Sequence, residues 1–237
     1  MKIEVYSDDD TVARKAASIV AADLQAAIAA RGKFIIAVSG GQTPWQMLRA
    51  LADEALPWDR VHVFQVDERV APEGDPDRNL THLRWSLLDH TPLPPDHVHA
   101  MAVEAPDLGR AVEKYAETLH DVAGRPAVLD LVHLGLGADG HTASLVSGDP
   151  ALDVTGTDVT TSGPYQGYRR MTLTFPIINR SRRILWLVTG SEKAATLVRL
   201  RDDDRSIPAS CVSRDQALIL ADRSAAERLG TDVALET

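Results

Sequence analysis

The amino-acid sequence predicts an α/β fold: a single domain with a central, mostly parallel sheet flanked by helices on both faces. Apolar β-type runs alternate with segments of helical periodicity along the chain. No repeat, low-complexity tract or long linker interrupts that alternation, and 237 residues fit one domain, so residues 1–237 are expected to form a single unit.

Residues 2–6 read as a strand, and the Ala-rich stretch 11–30 has its apolar residues at helical spacing. Residues 34–38, Phe-Ile-Ile-Ala-Val, form a buried-type strand, followed by a helix over 44–54 and a strand over 61–66. Helices are expected over 79–88 and 108–122, and a strand over 129–134. A β-branched strand over 171–174, a strand over 184–188, a helix over 192–201 and a strand over 217–220 complete the pattern. The Pro-rich piece 91–95 and the turn-rich piece 149–168 read as long loops, and loops of that length are often functional.

Lys and Arg number 25 against 34 Asp and Glu, a formal charge of -9, which argues against a nucleic-acid surface because that affinity rests on cations neutralising phosphates. A small anion remains compatible where a few cations and backbone N–H groups converge. No stretch approaches the ~18 consecutive apolar residues of a membrane helix. The start, Met-Lys-Ile-Glu-Val-Tyr-Ser-Asp-Asp-Asp, lacks the character of a secretory signal, and the lone Cys211 can form no internal disulfide. A soluble protein of the reducing cytoplasm is expected, with Cys211 a small buried residue.

In open α/β sheets ligands bind at the carboxyl ends of the strands, and four such ends carry chemistry. After the strand 34–38 comes Ser39-Gly40-Gly41-Gln42-Thr43-Pro44-Trp45-Gln46, where Thr43, Pro44 and Gln46 read as a capping box. Gly40 and Gly41 let an anion approach the helix N-terminus, or make an ordinary tight turn. Asp67-Glu68-Arg69 ends another strand and either orients a polyhydroxylated ligand or pairs internally. Thr189-Gly190-Ser191-Glu192-Lys193 places Lys193 in a first helical turn if Ser191 is the cap; a bound anion would favour a cation there, and a solvated surface Lys is the alternative.

The fourth end is Gly135-Leu136-Gly137-Ala138-Asp139-Gly140-His141-Thr142-Ala143-Ser144. Its Gly-x-Gly-x-x-Gly spacing matches the dinucleotide pattern, but Gly148 and Pro150 leave no room for the helix that pattern requires. What remains is a glycine-supported loop presenting Asp139 and His141, a carboxylate beside an imidazole, as a general base needs. His97 and His99 have strand spacing without an evident third ligand, and His62 and His133 lie within strands, so these four are expected at packing or surface positions and no metal site is expected.

Together these segments, with Arg170-Met171-Thr172-Leu173-Thr174 and Asn179, resemble the 6-phosphogluconolactonase family, in the larger group that includes glucosamine-6-phosphate deaminase. The resemblance implies hydrolysis of 6-phospho-D-glucono-1,5-lactone in the pentose phosphate pathway, without metal or organic cofactor. It implies His141 as general base and Asp139 as the residue orienting His141 or the substrate. Ser39, Gly40, Gly41, Thr43, Arg170 and Lys193 would hold the phosphate, Asp67 would belong to the substrate site, and Arg69 would serve the phosphate or the developing oxyanion. The implied partner is a phosphosugar lactone, with no nucleic acid or membrane, and the chain is expected to be a monomer.

One departure is Asp77-Arg78-Asn79 where such proteins commonly have Asp-Ser-Asn, which would put a cation near the mouth, with Asp77 as a possible helix cap. The deaminase branch is the nearest rival, but it carries a Glu five residues after the loop His, where this chain has Val146, and a Tyr-type residue where this chain has Arg69. A sugar-phosphate sensor would normally add a helix-turn-helix segment, and an NAD-dependent oxidoreductase rests on the rejected glycine pattern.

Overall fold

The computed structural model describes residues 1–230; residues 231–237, the end of the expected single domain, lie outside the described residues. The first elements are β1 (Lys2–Tyr6), α1 (Asp9–Arg31), β2 (Phe34–Val38), α2 (Gln42–Ala52), β3 (Val61–Gln65), β4 (Asp67–Arg69), α3 (Asn79–Ser86) and β5 (Val98–His99). They are followed by α4 (Leu108–Ala123), β6 (Leu131–Gly135), β7 (Val159–Tyr165), β8 (Tyr168–Leu173), α5 (Phe175–Arg180), β9 (Ile184–Val188), α6 (Ala194–Arg201) and β10 (Ala217–Asp222).

Seven strands form one sheet in the order β1-β10-β9-β6-β2-β3-β5, and every neighbouring pair is parallel. Period-two alternation divides the core: Phe34, Ile36 and Val38 face α1 and α2, whereas Ile35 and Ala37 face the side covered by α4, α5 and α6. Fully burying such a side chain is worth ~1.5–3 kcal/mol. That explains why these strands read as continuous apolar runs. The long α1 is stopped at both ends, by Asp8 accepting from the Thr11 N–H at 2.8 Å and by Gly32 at φ 78°.

From β2 the chain steps outward to β3 and β5, then returns to β6 and steps the opposite way to β9 and β10. The reversal lies between β2 and β6, and it opens a crevice at their carboxyl ends.

A second, antiparallel sheet, β4-β8-β7, closes over that end. This corrects the expected loop over 149–168. It contains β7, whose Val159-Thr160-Thr161 is β-branched and whose hairpin turns through Gln166 at φ 51° and Gly167 at φ 86°. Positive φ at both central residues matches the twist of a two-residue hairpin. Among the described residues, no helix is long and apolar enough to cross a membrane.

Candidate active site

The crevice at the reversal point is a cleft of about 470 Å³. It is lined by residues at and just beyond the carboxyl ends of β2, β6 and β9 and by Asp222 at the end of β10, together with Asp67, Arg69 and Arg170 of the small sheet.

At the end of β6 the chain turns back, with the Gly137 N–H donating to the His141 carbonyl at 2.8 Å and the Gly140 N–H to the Gly137 carbonyl at 3.0 Å. Thr196 Oγ1 donates to the Ala138 carbonyl at 2.7 Å, which ties the turn to α6. Inside it, Asp139 Oδ1 lies 2.6 Å from His141 Nδ1 and 3.2 Å from the His141 N–H. An ionised carboxylate only accepts, so Nδ1 carries a proton, and in the neutral imidazole the lone pair is then on Nε2. Burial acts to raise the Asp139 pKa, but hydrogen bonds and charge from His141 outweigh it and hold the carboxyl below its usual range.

Two glycines make this turn possible. A Cβ on Gly137 would stand 2.0 Å from His141 Nδ1 and 2.6 Å from Asp139 Oδ1, so only glycine leaves room for the pair. Gly140 has φ 91°, and a Cβ there would meet Ile207 at 2.5 Å. The Gly-x-Gly-x-x-Gly spacing thus shapes a histidine loop; no α-helix follows until α5.

Opposite this loop, Arg69 of β4 and Arg170 of β8 are direct cross-strand partners. Like charges facing across a ladder are destabilising. Burial first, and then the Arg69 charge, lowers the Arg170 pKa, while Asp67 offsets part of that at 3.9 Å. The buried Nε atoms of both arginines have no hydrogen-bond partner among the described residues, and both residues line the same cleft, giving it a local excess of positive charge. Lys193, in the 3₁₀ turn after β9, adds a third cation whose paired carboxylate, Glu192, is 4.0 Å away.

Ser39, Gly40, Gly41 and Thr43 all line the cleft, as do Asp67, Arg69, His141, Arg170 and Lys193. Asp139 sits behind His141. Several details differ from the sequence reading. Thr43 does not cap α2: the helix starts two residues earlier, at Gln42, with Gly41 as N-cap and no side-chain cap, and Thr43 Oγ1 instead shares a 2.7 Å hydrogen bond with Thr189 Oγ1. Ser191 is likewise not a cap, because Gly190 holds that place. Ser39 Oγ donates to the His133 carbonyl at 3.1 Å, so its hydroxyl positions the loop.

The Asp67-Glu68-Arg69 run is divided by strand alternation. Asp67 accepts from Ser144 Oγ at 2.6 Å and borders the cleft, but Glu68 is fully buried on the other side. Its carboxylate accepts from the Asn79 and Leu80 N–H groups, both at 2.8 Å, and so caps α3 in place of Asp77. Arg78 is correspondingly not a cation at the mouth: it is buried, 3.2 Å from Glu68, and donates to the Ala71 carbonyl at 2.7 Å. Cys211 is exposed rather than buried, because the 3₁₀ turn over Pro208–Cys211 points Pro208, Ala209 and Ser210 inward. Tyr165, whose hydroxyl lies 3.1 Å from Asp139 Oδ2, escaped the sequence reading altogether. The signal available was Gln166-Gly167 between two tyrosines, a turn-forming pair.

An open parallel sheet with a switch-point cleft that joins an Asp–His pair to converging cations defines an α/β protein built for acid–base chemistry on small anions. The sequence matches the family described as glucosamine-6-phosphate isomerases/6-phosphogluconolactonase over residues 7–220, and the chain belongs to that family. It is 37% identical to the 6-phosphogluconolactonase of Synechocystis sp. over 236 residues, 96% of this chain and 98% of that one. Identity to the Mycobacterium tuberculosis 6-phosphogluconolactonase is 37% over 241 residues, again 96% and 98%. The crystal structure of the Thermotoga maritima 6-phosphogluconolactonase superposes with a TM-score of 0.83 at 27% identity, covering 93% of this chain and 99% of that one.

Proposed function

We propose that the protein hydrolyses 6-phospho-D-glucono-1,5-lactone to 6-phospho-D-gluconate, a step of the oxidative pentose phosphate pathway. The observation that carries this reading is the His141–Asp139 pair, 2.6 Å apart, in one cleft with Arg69, Arg170 and Lys193. Relatives named 6-phosphogluconolactonase match nearly the whole chain and supply the substrate class.

In this reading His141 Nε2 takes a proton from water as the water oxygen bonds to the lactone carbonyl carbon. Negative charge moves onto the carbonyl oxygen, giving a tetrahedral oxyanion that a guanidinium can stabilise. The ring C–O bond then breaks, and the imidazolium returns its proton to the departing ring oxygen, which becomes a hydroxyl. Asp139 fixes the ring orientation and stabilises the transient imidazolium. A δ-lactone is an activated ester, so one base and a cation suffice without a covalent nucleophile. The Gly40-Gly41 turn, Thr43, Arg170 and Lys193 hold the phosphate, with Ser39 and Asp67 setting the positions of the loop and of Arg170, and Arg69 serving the phosphate or the oxyanion. The remote phosphate anchors the reacting carbon before a positioned water.

The same reading treats residues 1–237 as one domain, acting as a cytoplasmic monomer on a small phosphosugar. The test is a hydrolysis assay on freshly made 6-phosphogluconolactone, corrected for spontaneous opening, with unphosphorylated gluconolactone and glucosamine 6-phosphate in parallel. Rapid turnover of the phosphorylated lactone alone is expected. Deamination of glucosamine 6-phosphate, or equal turnover of both lactones, would overturn the reading.

A further inference from the structure

We propose that Tyr165 is a positioning residue for the His141–Asp139 pair, an inference that rests on the lactonase reading above. Its hydroxyl holds one oxygen of Asp139 so that the other remains on His141 Nδ1.

The geometry begins in the β7–β8 hairpin. Its register shifts between Ser162 and Tyr165, an irregularity that bends a strand and redirects its side chains, before the ladder closes again at Tyr165 and Tyr168. The redirected Tyr165 hydroxyl reaches Asp139 Oδ2 at 3.1 Å and approaches His141 Nδ1 at 3.4 Å. Its ring meets the imidazole edge-on at 5.0 Å between centroids. Asp139 is thereby held from both sides, Oδ1 by the side chain and N–H of His141 and Oδ2 by Tyr165. A carboxylate that is 46% exposed would otherwise be free to rotate toward water and release Nδ1. Burial, followed by the hydrogen bond to Asp139, raises the phenol's pKa, which keeps the donor protonated.

Tyr165 also reaches the cationic side of the cleft. Its carbonyl accepts from Arg170 Nη2 at 3.2 Å, and the Arg170 guanidinium lies 5.2 Å from its ring centroid. Both contacts survive in Tyr165→Phe, which removes only the hydroxyl. The variant therefore separates the action on Asp139 from the support of Arg170.

For Tyr165→Phe we expect kcat to fall about fivefold to tenfold, KM to stay within about twofold and the unfolding midpoint to stay unchanged. In an Asp139→Ala background the same change should cost nothing further, because a hydroxyl acting through Asp139 has lost its target. Unchanged kcat in Tyr165→Phe would overturn the proposal. So would an undiminished loss in the Asp139→Ala background, which would place the hydroxyl on the substrate, and so would a rise in KM alone. His141→Ala is measured alongside: retained turnover there sinks the mechanism itself, whereas an inactive His141→Ala beside a fully active Tyr165→Phe sinks only the role of Tyr165.

Discussion

Two groups of histidines lie in different parts of the sheet and have opposite surroundings. At the outer edge, His62 of β3 has its ring centroid 4.0 Å from that of His97, the rings tilted by 33°, and its Nδ1 is 3.2 Å from His99 Nε2. His97 Nδ1 bonds the Val61 carbonyl at 3.0 Å, and His99 stacks on Phe64 at 4.2 Å. Burial first and the neighbouring imidazoles second push His62 and His99 down to about 4. At the reversal point, by contrast, His141 gives one nitrogen to a carboxylate and keeps the other in a cleft. The difference teaches that an imidazole is poised as a base by a carboxylate on one nitrogen and an open cleft at the ring. At the edge, ring nitrogens bond to one another and to the backbone, so those histidines act as packing groups.

The strongest way to break this comparison is to exchange the consequences. His141→Ala should lower lactone turnover by roughly two orders of magnitude or more, as loss of a general base does, with little change in the urea unfolding midpoint. His62→Ala should do the reverse, costing ~1 kcal/mol of stability while kcat stays within about twofold. A His62→Ala variant with strongly reduced kcat but normal stability would erase the distinction.

A smaller loss is expected from Gly137→Ala. Gly137 is not among the positive-φ glycines, so its backbone tolerates a side chain, and the effect falls on the pair that the new methyl would touch. Displacing a catalytic group by about 1 Å can cost ~100-fold, so kcat should drop about 10- to 100-fold. The unfolding midpoint should move much less. Unaltered turnover would show that the close packing of Gly137 under His141 has no catalytic consequence.

The parallel sheet was legible because its strands are buried on both faces and read as apolar runs, and α1 because Asp8 and Gly32 bracket a long periodic segment. The histidine loop was legible for a local reason: Gly137, Asp139, Gly140 and His141 act within one turn. What stayed hidden depends on contacts distant in sequence. Glu68 caps a helix eleven residues ahead, Arg78 follows it into the core, and Thr43 bonds a threonine on another strand end. Tyr165 was hidden because a register irregularity in a hairpin of modest apolar character decides where its hydroxyl points.

The smallest expected effect concerns acid. An unfolded chain protonates histidine near pH ~6.5. Folded His62 and His99 resist until about pH 4, and His133, whose pKa is lowered by burial alone, until about pH 3. Below pH ~6.5 the unfolded chain therefore binds more protons than the folded one, and stability must fall as pH falls. The contribution is complete above that value and is lost progressively towards pH 4 for the edge pair. Carboxylates held low act in a different window: Asp8 and Asp204, lowered to about 2 chiefly by side-chain hydrogen bonds, lose their contribution only below the usual carboxylate range. The interval from pH 6.5 to 5 thus reports the histidines. Urea midpoints should decline across it, by less than three full protons' worth because the edge pair, unlike the buried His133, is partly solvated. In His62→Phe the decline should be shallower, since one of the two edge protons is gone. An equal slope in parent and variant would remove the edge cluster from the acid response and leave it a purely steric part of the sheet.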